Sequence, residues 1–272
     1  MTITALMDDY CPKRGFVGEH GLSLWIETAT ERILFDAGQS GLFIQNARFM
    51  GIDLNRIDAV VLSHGHYDHG GGLNAFYDSF TPPYPRFFAG RGFDAPRRSK
   101  SSTGLADIGL SMPIVPSAAP PAVLLDRFTG IASGVFILPR VERLDVSEPS
   151  TRFRRLEGGK EFLDEFDDEL SLVVAEEDGI VIITGCAHRG IVNIAESARR
   201  AFPARPVKAL VGGFHLVDAA TDTVMDTVRG IAATEPTAVL CSHCTGPRGF
   251  AALAQELGEK VSWLSCGMQI SL

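Results

Sequence analysis

The stretch AVVLSHGHYDHGGGL, residues 59–73, places three of the chain's seven histidines and one aspartate within six positions. An apolar run precedes them and glycines follow. The run reads as a short buried strand ending near Ser63, and Gly65 and Gly70–Gly72 give the following loop its freedom to turn. Polar side chains at the C-terminal end of such a strand commonly line a site. Imidazole nitrogen and carboxylate oxygen are good ligands for zinc and related divalent ions. His64 and His66, two apart, can turn to one side, while Asp68 and His69 can serve a second ion close by.

Working outward, 272 residues with 45% hydrophobic and 21% charged content describe an ordinary globular chain with enough apolar material for a large core. We expect a single domain over 1–272 with an irregular excursion around 93–128, where FDAPRRSKSSTGLADIGLSMPIVPSAAPPAVLLDRF is rich in Pro, Ser and Ala. That excursion reads either as a cover over a site or as a long solvated loop. The net charge of −8 argues against a partner held by bulk positive charge, so no nucleic acid is expected. No apolar run approaches the ~20 residues of a membrane span. The start, MTITALMDDYCPKRG, lacks the pattern of a secretory signal. Five cysteines, an odd number in a chain of this size, do not suggest a disulfide scaffold. The expectation is a reduced, cytoplasmic protein acting on a small molecule, as a monomer or an oligomer.

Strand signals occur at 22–29 and 32–38, and a helical period follows through Phe43, Ala47 and Met50. LSLVVAEEDGIVIITG, residues 170–185, reads as a hairpin closed by the polar EEDG. Helical periods recur through Ile191, Ile194, Ala195 and Ala198, through Val224, Val228 and Ile231, and through Phe250, Leu253 and Leu257. Short strands, VKALVGGF, AVLCSHC and VSWLSC, alternate with them. Two such blocks predict an α/β protein with packed sheets and helices outside.

Four histidines remain: His20, His188, His215 and His243. Three of these follow apolar strands beside small residues, in IVIITGCAHRG, VKALVGGFHL and AVLCSHCTG, so each can be delivered to one common rim. His188 also precedes a helix start near Gly190, where amide groups and the helix dipole favour an anion. A rival reading makes Cys241, His243, Cys244 and Cys266 a structural zinc site, but CSHC is too tight for three ligands and has no matching second pair.

SHGHYDHGGG resembles the HxHxDH signature of the metallo-β-lactamase fold superfamily, and ILFDAG, with Asp36, resembles that superfamily's first motif. The resemblance implies an αβ/βα sandwich of two mixed sheets with helices outside and one or two divalent ions at one edge. Zinc is the first expectation, with manganese or iron also suited to these ligands. GEHGLSLWIE, DDELSLVV, GCAHRGIVNI, GGFHL, HCTG and the closing CG are similar to one branch. That branch is named for 7,8-dihydropterin-6-methyl-4-(β-D-ribofuranosyl)-aminobenzene-5′-phosphate synthase, which implies joining a pterin diphosphate to an aryl amine with release of pyrophosphate.

The chain departs from the commoner hydrolase pattern: no histidine lies between 70 and 187, and Cys186 stands where a metal-bridging aspartate is usual. The resemblance therefore allots His64, His66 and His188 to one ion and Asp68, His69 and His243 to the other. Cys186 is either a bridge or a small buried residue off the metal, and Asp36 orients a ligand. The catalytic candidates are Asp68 and His215, the latter as a proton shuttle. Arg97 and Arg98, in GRGFDAPRRSK, are the candidates for binding a substrate phosphate. The expected chemistry is hydrolysis of a small anionic substrate, phosphorylated or ester-type. Pyrophosphate-releasing transfer and non-catalytic ligand binding are the alternatives.

Overall fold

The computed structural model describes residues 1–101, 104–116, 119–143 and 151–272. Its first sheet contains β1 (Thr2–Met7), β2 (Ser23–Glu27), β3 (Arg32–Phe35), β4 (Ala59–Val61), β5 (Arg86–Gly90), β8 (Val123–Leu125) and β18 (Gln269–Ser271), in the order β18-β1-β2-β3-β4-β5-β8. The second contains β9 (Thr129–Ala132), β10 (Val135–Pro139), β13 (Leu170–Glu176), β14 (Gly179–Thr184), β15 (Val207–Gly212), β16 (Ala238–Cys241) and β17 (Val261–Trp263), in the order β17-β16-β15-β14-β13-β10-β9. Each sheet is mixed. Antiparallel pairing on one side gives way to a parallel set, β3-β4-β5-β8 in one and β14-β15-β16-β17 in the other.

Both faces of these sheets are covered, so their strands read as continuous apolar runs rather than as alternation. In β13 and β14, Leu172, Val181 and Ile183 face the first sheet's Ile26, Phe35 and Val61. Their neighbours Val173, Ile180 and Ile182 pack under α4 (Ile191–Ala201), α5 (Thr221–Ala233) and α6 (Gly246–Leu257) through Ile194, Val228 and Leu253. On the opposite outer face, Phe43 and Ala47 of α1 (Leu42–Phe49) and Leu73 and Phe76 of α3 (Leu73–Ser79) cover Leu34, Val60 and Leu62. Each of the larger of these side chains contributes about 1.5–3 kcal/mol by leaving water. The result is the four-layer αβ/βα sandwich.

The excursion departs from expectation. β6 (Arg97–Ser101) and β7 (Gly104–Asp107) pair with β11 (Phe153–Glu157) and β12 (Lys160–Leu163) in a third sheet, ordered β12-β11-β6-β7. RRSKS and FRRLE lack an apolar alternation, so no strand signal marked them. This sheet leans on the histidine loop: the Tyr67 amide donates to the Ile108 carbonyl at 3.0 Å, and His66 bridges to Gly109. β10 ends at Pro139, and residues 144–150 lie outside the described ones. No helix among the described residues is long and apolar enough to cross a membrane.

Candidate metal centre

The parallel strands of both sheets end at one edge, and the chemistry-bearing side chains follow those ends. Asp36 follows β3, and His64 and His66 follow β4. Cys186 and His188 follow β14, His215 follows β15, and His243 follows β16. The short helix α2 (Tyr67–Gly70) carries Asp68 and His69. Gly65 lies so close to its surroundings that a Cβ there would sit 1.8 Å from the Phe93 carbonyl oxygen. Asp36, Ala187, His215 and His243 all have left-handed backbone, with φ of 58, 54, 50 and 47°. Non-glycine residues adopt this only at a cost of about 1–3 kcal/mol each, which the surrounding packing must offset.

The ligating atoms of His64, His66 and His188 lie within 4.8 Å of one another, and so do those of His64, His69 and Cys186. Burial holds the His64, His66 and His188 imidazoles well below their ordinary pKa, so they are neutral and offer lone pairs. The Nε2 atoms of all three, and of His243, are buried with no hydrogen-bond partner. Three orphaned buried acceptors at one point, on His64, His66 and His188, are costly unless something binds there, whereas His243 Nε2 faces Asp68. A divalent cation fits this donor set.

The second group surrounds Asp68. His69 Nε2 and His243 Nε2 lie 3.9 and 3.4 Å from Asp68 Oδ2. Burial would raise the Asp68 carboxyl, but His69, His20 and His243 outweigh it and hold it well below the carboxylate range. Asp36 touches no other candidate ligand except His69: its Oδ2 lies 2.6 Å from His69 Nδ1 and accepts from Ser63 Oγ at 2.7 Å, while Oδ1 accepts the Ser63 amide at 2.7 Å. It fixes the ring and leaves Nε2 facing inward. Cys186 Sγ lies 3.1 Å from His69 Nε2, between the two groups, and burial pushes its thiol up.

His215 stands at the mouth. Its ring is 4.3 Å from that of His188, centroid to centroid, and Nδ1 is buried without a partner. Phe153, from the third sheet, packs on His66, His188 and His215. Phe166 stacks on His188 with centroids 3.8 Å apart. Outside this wall lies a cavity of about 520 Å³, lined by Arg143, Arg152, Arg189, His188, His215 and the first residues of α4.

Two expectations need correction. Arg97 does not face a substrate: only 2% of it is exposed, and its guanidinium is held by Asp164 at 2.9 Å, Asp168 at 2.7 Å and the Phe93 carbonyl at 3.0 Å. Arg98 lies on the third sheet, paired with Asp107 and Glu161, and does not line the cavity. The four residues of the rival cysteine site do not converge, since Cys266 bonds the Leu6 and Val17 carbonyls and Cys241 the Ser262 carbonyl. The arginines beside the site are Arg143, Arg152 and Arg189, not those named from the sequence.

Some site residues escaped the sequence reading. Asp8 accepts the His243 amide at 2.8 Å and Asp9 Oδ1 lies 2.6 Å from His243 Nδ1. Glu169 accepts the amides of His188 and Arg189 at 2.6 and 2.9 Å, and burial pushes its carboxyl up to about 7. The signal for Asp8 and Asp9 is their position directly after the apolar strand TITALM.

Comparison with known proteins agrees with this geometry. The sequence model of the metallo-beta-lactamase superfamily matches residues 17–136. The chain is 28% identical over 278 residues to the Methanocaldococcus jannaschii 7,8-dihydropterin-6-methyl-4-(beta-D-ribofuranosyl)-aminobenzene-5′-phosphate synthase, covering 97% of this chain and 94% of that one. The crystal structure of Tm1679, a metal-dependent hydrolase of the beta-lactamase superfamily, superposes with a TM-score of 0.88 at 31% identity, over 100% of this chain and 99% of the other. Zn(2+)-bound PqqB from Methylobacterium extorquens shares the fold, at a TM-score of 0.58 and 13% identity over the full length of both chains. Its sandwich, its histidine loop and these likenesses together make this chain a member of the metallo-beta-lactamase superfamily.

Proposed function

We propose that the chain is a metal-dependent hydrolase of a small anionic substrate, phosphorylated or ester-type. One observation carries the reading: the buried, unpartnered Nε2 atoms of His64, His66 and His188 converge beside a cavity lined by three arginines. When bound, divalent ions, zinc first and manganese or iron as alternatives, supply Lewis acidity and a water that ionises near neutral pH. His64, His66 and His188 would hold one ion and Asp68, His69 and His243 the other, with Cys186 between them.

The chain's own residues divide the remaining work. Arg143, and Arg152 beside its partner Asp218, attract the substrate's charge, Arg189 braces the wall through the Val141 and Glu165 carbonyls, and the α4 amides at Gly190–Val192 add the positive end of a helix. Phe153 and Phe166 keep water from the inner side of the His66 and His188 rings. His215 faces the cavity with a free ring nitrogen and can take or return a proton at the leaving group. A small molecule suits the cavity's volume, and a reduced, cytoplasmic setting suits five cysteines that form no disulfide.

The second reading is synthase-like transfer with release of pyrophosphate, supported by the 28% identity to the archaeal synthase across nearly the whole chain. The test begins with elemental analysis of protein purified without chelator, then turnover of p-nitrophenyl phosphate, its diester and a lactone before and after chelation. About two ions per chain and chelator-sensitive turnover support hydrolysis. Pyrophosphate release only when an aryl amine is supplied supports transfer. Metal-free protein that stays empty after reconstitution, or full turnover by His66→Ala, refutes both.

A further inference from the structure

His20 was left without a role, and Asp9 was not singled out at all. The structure brings both to Asp68. His20 Nδ1 lies 2.8 Å from Asp9 Oδ2, and His243 Nδ1 lies 2.6 Å from Asp9 Oδ1. One carboxylate therefore holds two imidazoles by the same ring nitrogen. Asp36 does the same for His69 at 2.6 Å. The opposite nitrogens of all three rings then face one atom. Asp68 Oδ2 is 3.2 Å from His20 Nε2, 3.4 Å from His243 Nε2 and 3.9 Å from His69 Nε2.

This is the carboxylate–histidine arrangement that orients metal-binding imidazoles, repeated three times around one point. A surface histidine paired with a nearby acid would need only one such contact. The His20 loop is also docked rather than loose. The Leu22 amide donates to the Asp68 carbonyl at 3.2 Å, and the Gly21 amide donates to Asp9 Oδ1 at 3.1 Å. Gly21, at φ 150°, allows the approach, because a Cβ there would stand 2.5 Å from the Asp68 carbonyl oxygen.

We infer that His20 is a fourth ligand of the ion held by Asp68, His69 and His243, and that Asp9 is the carboxylate that aims both His20 and His243. The inference rests on the metal-dependent reading above. It assigns the two ions different tasks. Four protein ligands close a site, as in structural zinc centres, whereas three leave a position open for chemistry. The ion at His64, His66 and His188 is then the open one, beside His215 and the cavity, and the ion at Asp68 is the closed one.

The test uses metal-stripped full-length protein titrated with Co²⁺, read by calorimetry and by visible absorption, for wild type, His20→Ala and Asp9→Asn. His20 has 52% of its side chain exposed, so its removal should leave the fold intact, which circular dichroism checks. The expected result is about two ions in wild type. In both variants one binding step should be unchanged and the other weakened about 10–100-fold, with a changed absorption band. Asp9→Asn keeps every imidazole and reads the same arrangement should His20→Ala fail to fold. Two unchanged binding steps with an unchanged spectrum in both variants would overturn the inference and leave the metal reading standing. A wild type that takes up no Co²⁺ would overturn both.

Discussion

Replacing Arg97 with Met should cost the fold heavily and leave substrate affinity nearly untouched. The guanidinium has 1% of its surface exposed and pairs with Asp164 and Asp168 at 2.9 and 2.7 Å. It also donates to the carbonyls of Phe93 and Gly92 at 3.0 and 3.1 Å. Removing one partner of a buried ion pair costs about 3–5 kcal/mol, because the other charge stays buried and unpaired. Asp168 can relieve part of that by taking a proton. Burial already pushes its carboxyl up to about 6 from an ordinary 3.8, against the pull of Arg97, and losing Arg97 raises it further. A carboxyl raised in the folded state stabilises below its unfolded pKa and loses that contribution as pH climbs through the folded value. The penalty should therefore be about 4 kcal/mol at pH 8 and smaller at pH 5. For a chain of this size it lowers the melting temperature by about 10 °C at the higher pH. Urea unfolding of metal-free wild type and Arg97→Met at both pH values reads this directly. Adding Asp168→Asn should recover part of the loss, since it removes the stranded charge. A loss below about 1 kcal/mol, or a larger loss at pH 5, would refute the burial argument. A raised KM with unchanged stability would return Arg97 to the substrate.

Asp36→Asn should weaken metal binding about 10–100-fold without unfolding the chain, because it loosens His69 and Ser63 together; chelator competition measures this, and unchanged affinity would count against a positioning role. Gly65→Ala forces a Cβ to within 1.8 Å of the Phe93 carbonyl oxygen and should cost about 3 kcal/mol or more, together with the metal. Gly51→Ala, at φ 72° with nothing within 4 Å of its Cβ, should cost only about 1 kcal/mol; equal penalties in the two melting curves would contradict the steric account. Arg143 has a buried Nε without a partner in the cavity wall. Arg143→Gln should raise KM for an anionic substrate about tenfold with kcat nearly unchanged, and a fall in kcat alone would assign it a different task.

What the sequence revealed and what it hid divide along physical lines. His64, His66, Asp68 and His69 were legible because one short loop carries them all. The hairpin of β13 and β14 was legible because two apolar runs flank a polar turn, and the helical faces of α4 and α5 because every residue named for them is buried. The third sheet was not, since RRSKS and FRRLE are mostly charged or polar, and their one buried aromatic, Phe153, packs on the histidines rather than on a core, leaving no alternation. Arg97 was misread for a related reason: a cation in a polar segment is usually exposed, and only the fold shows two acids closing over it. Asp9 and His243 stand 234 positions apart, and no local pattern links them.

The candidate ligands come from distant parts of the chain, and that has a consequence for how the folded state is lost. His69 sits on the first sheet's edge, and His243 follows the last long strand of the second. A single ion gripping both would cross-link a loop of more than 170 residues. In the chain-entropy account, closing a loop of that length restricts the unfolded ensemble by about 5 kcal/mol, the scale of a long-range disulfide. Stripping the metal would thus do more than silence a reaction. The two halves would lose a rivet between them.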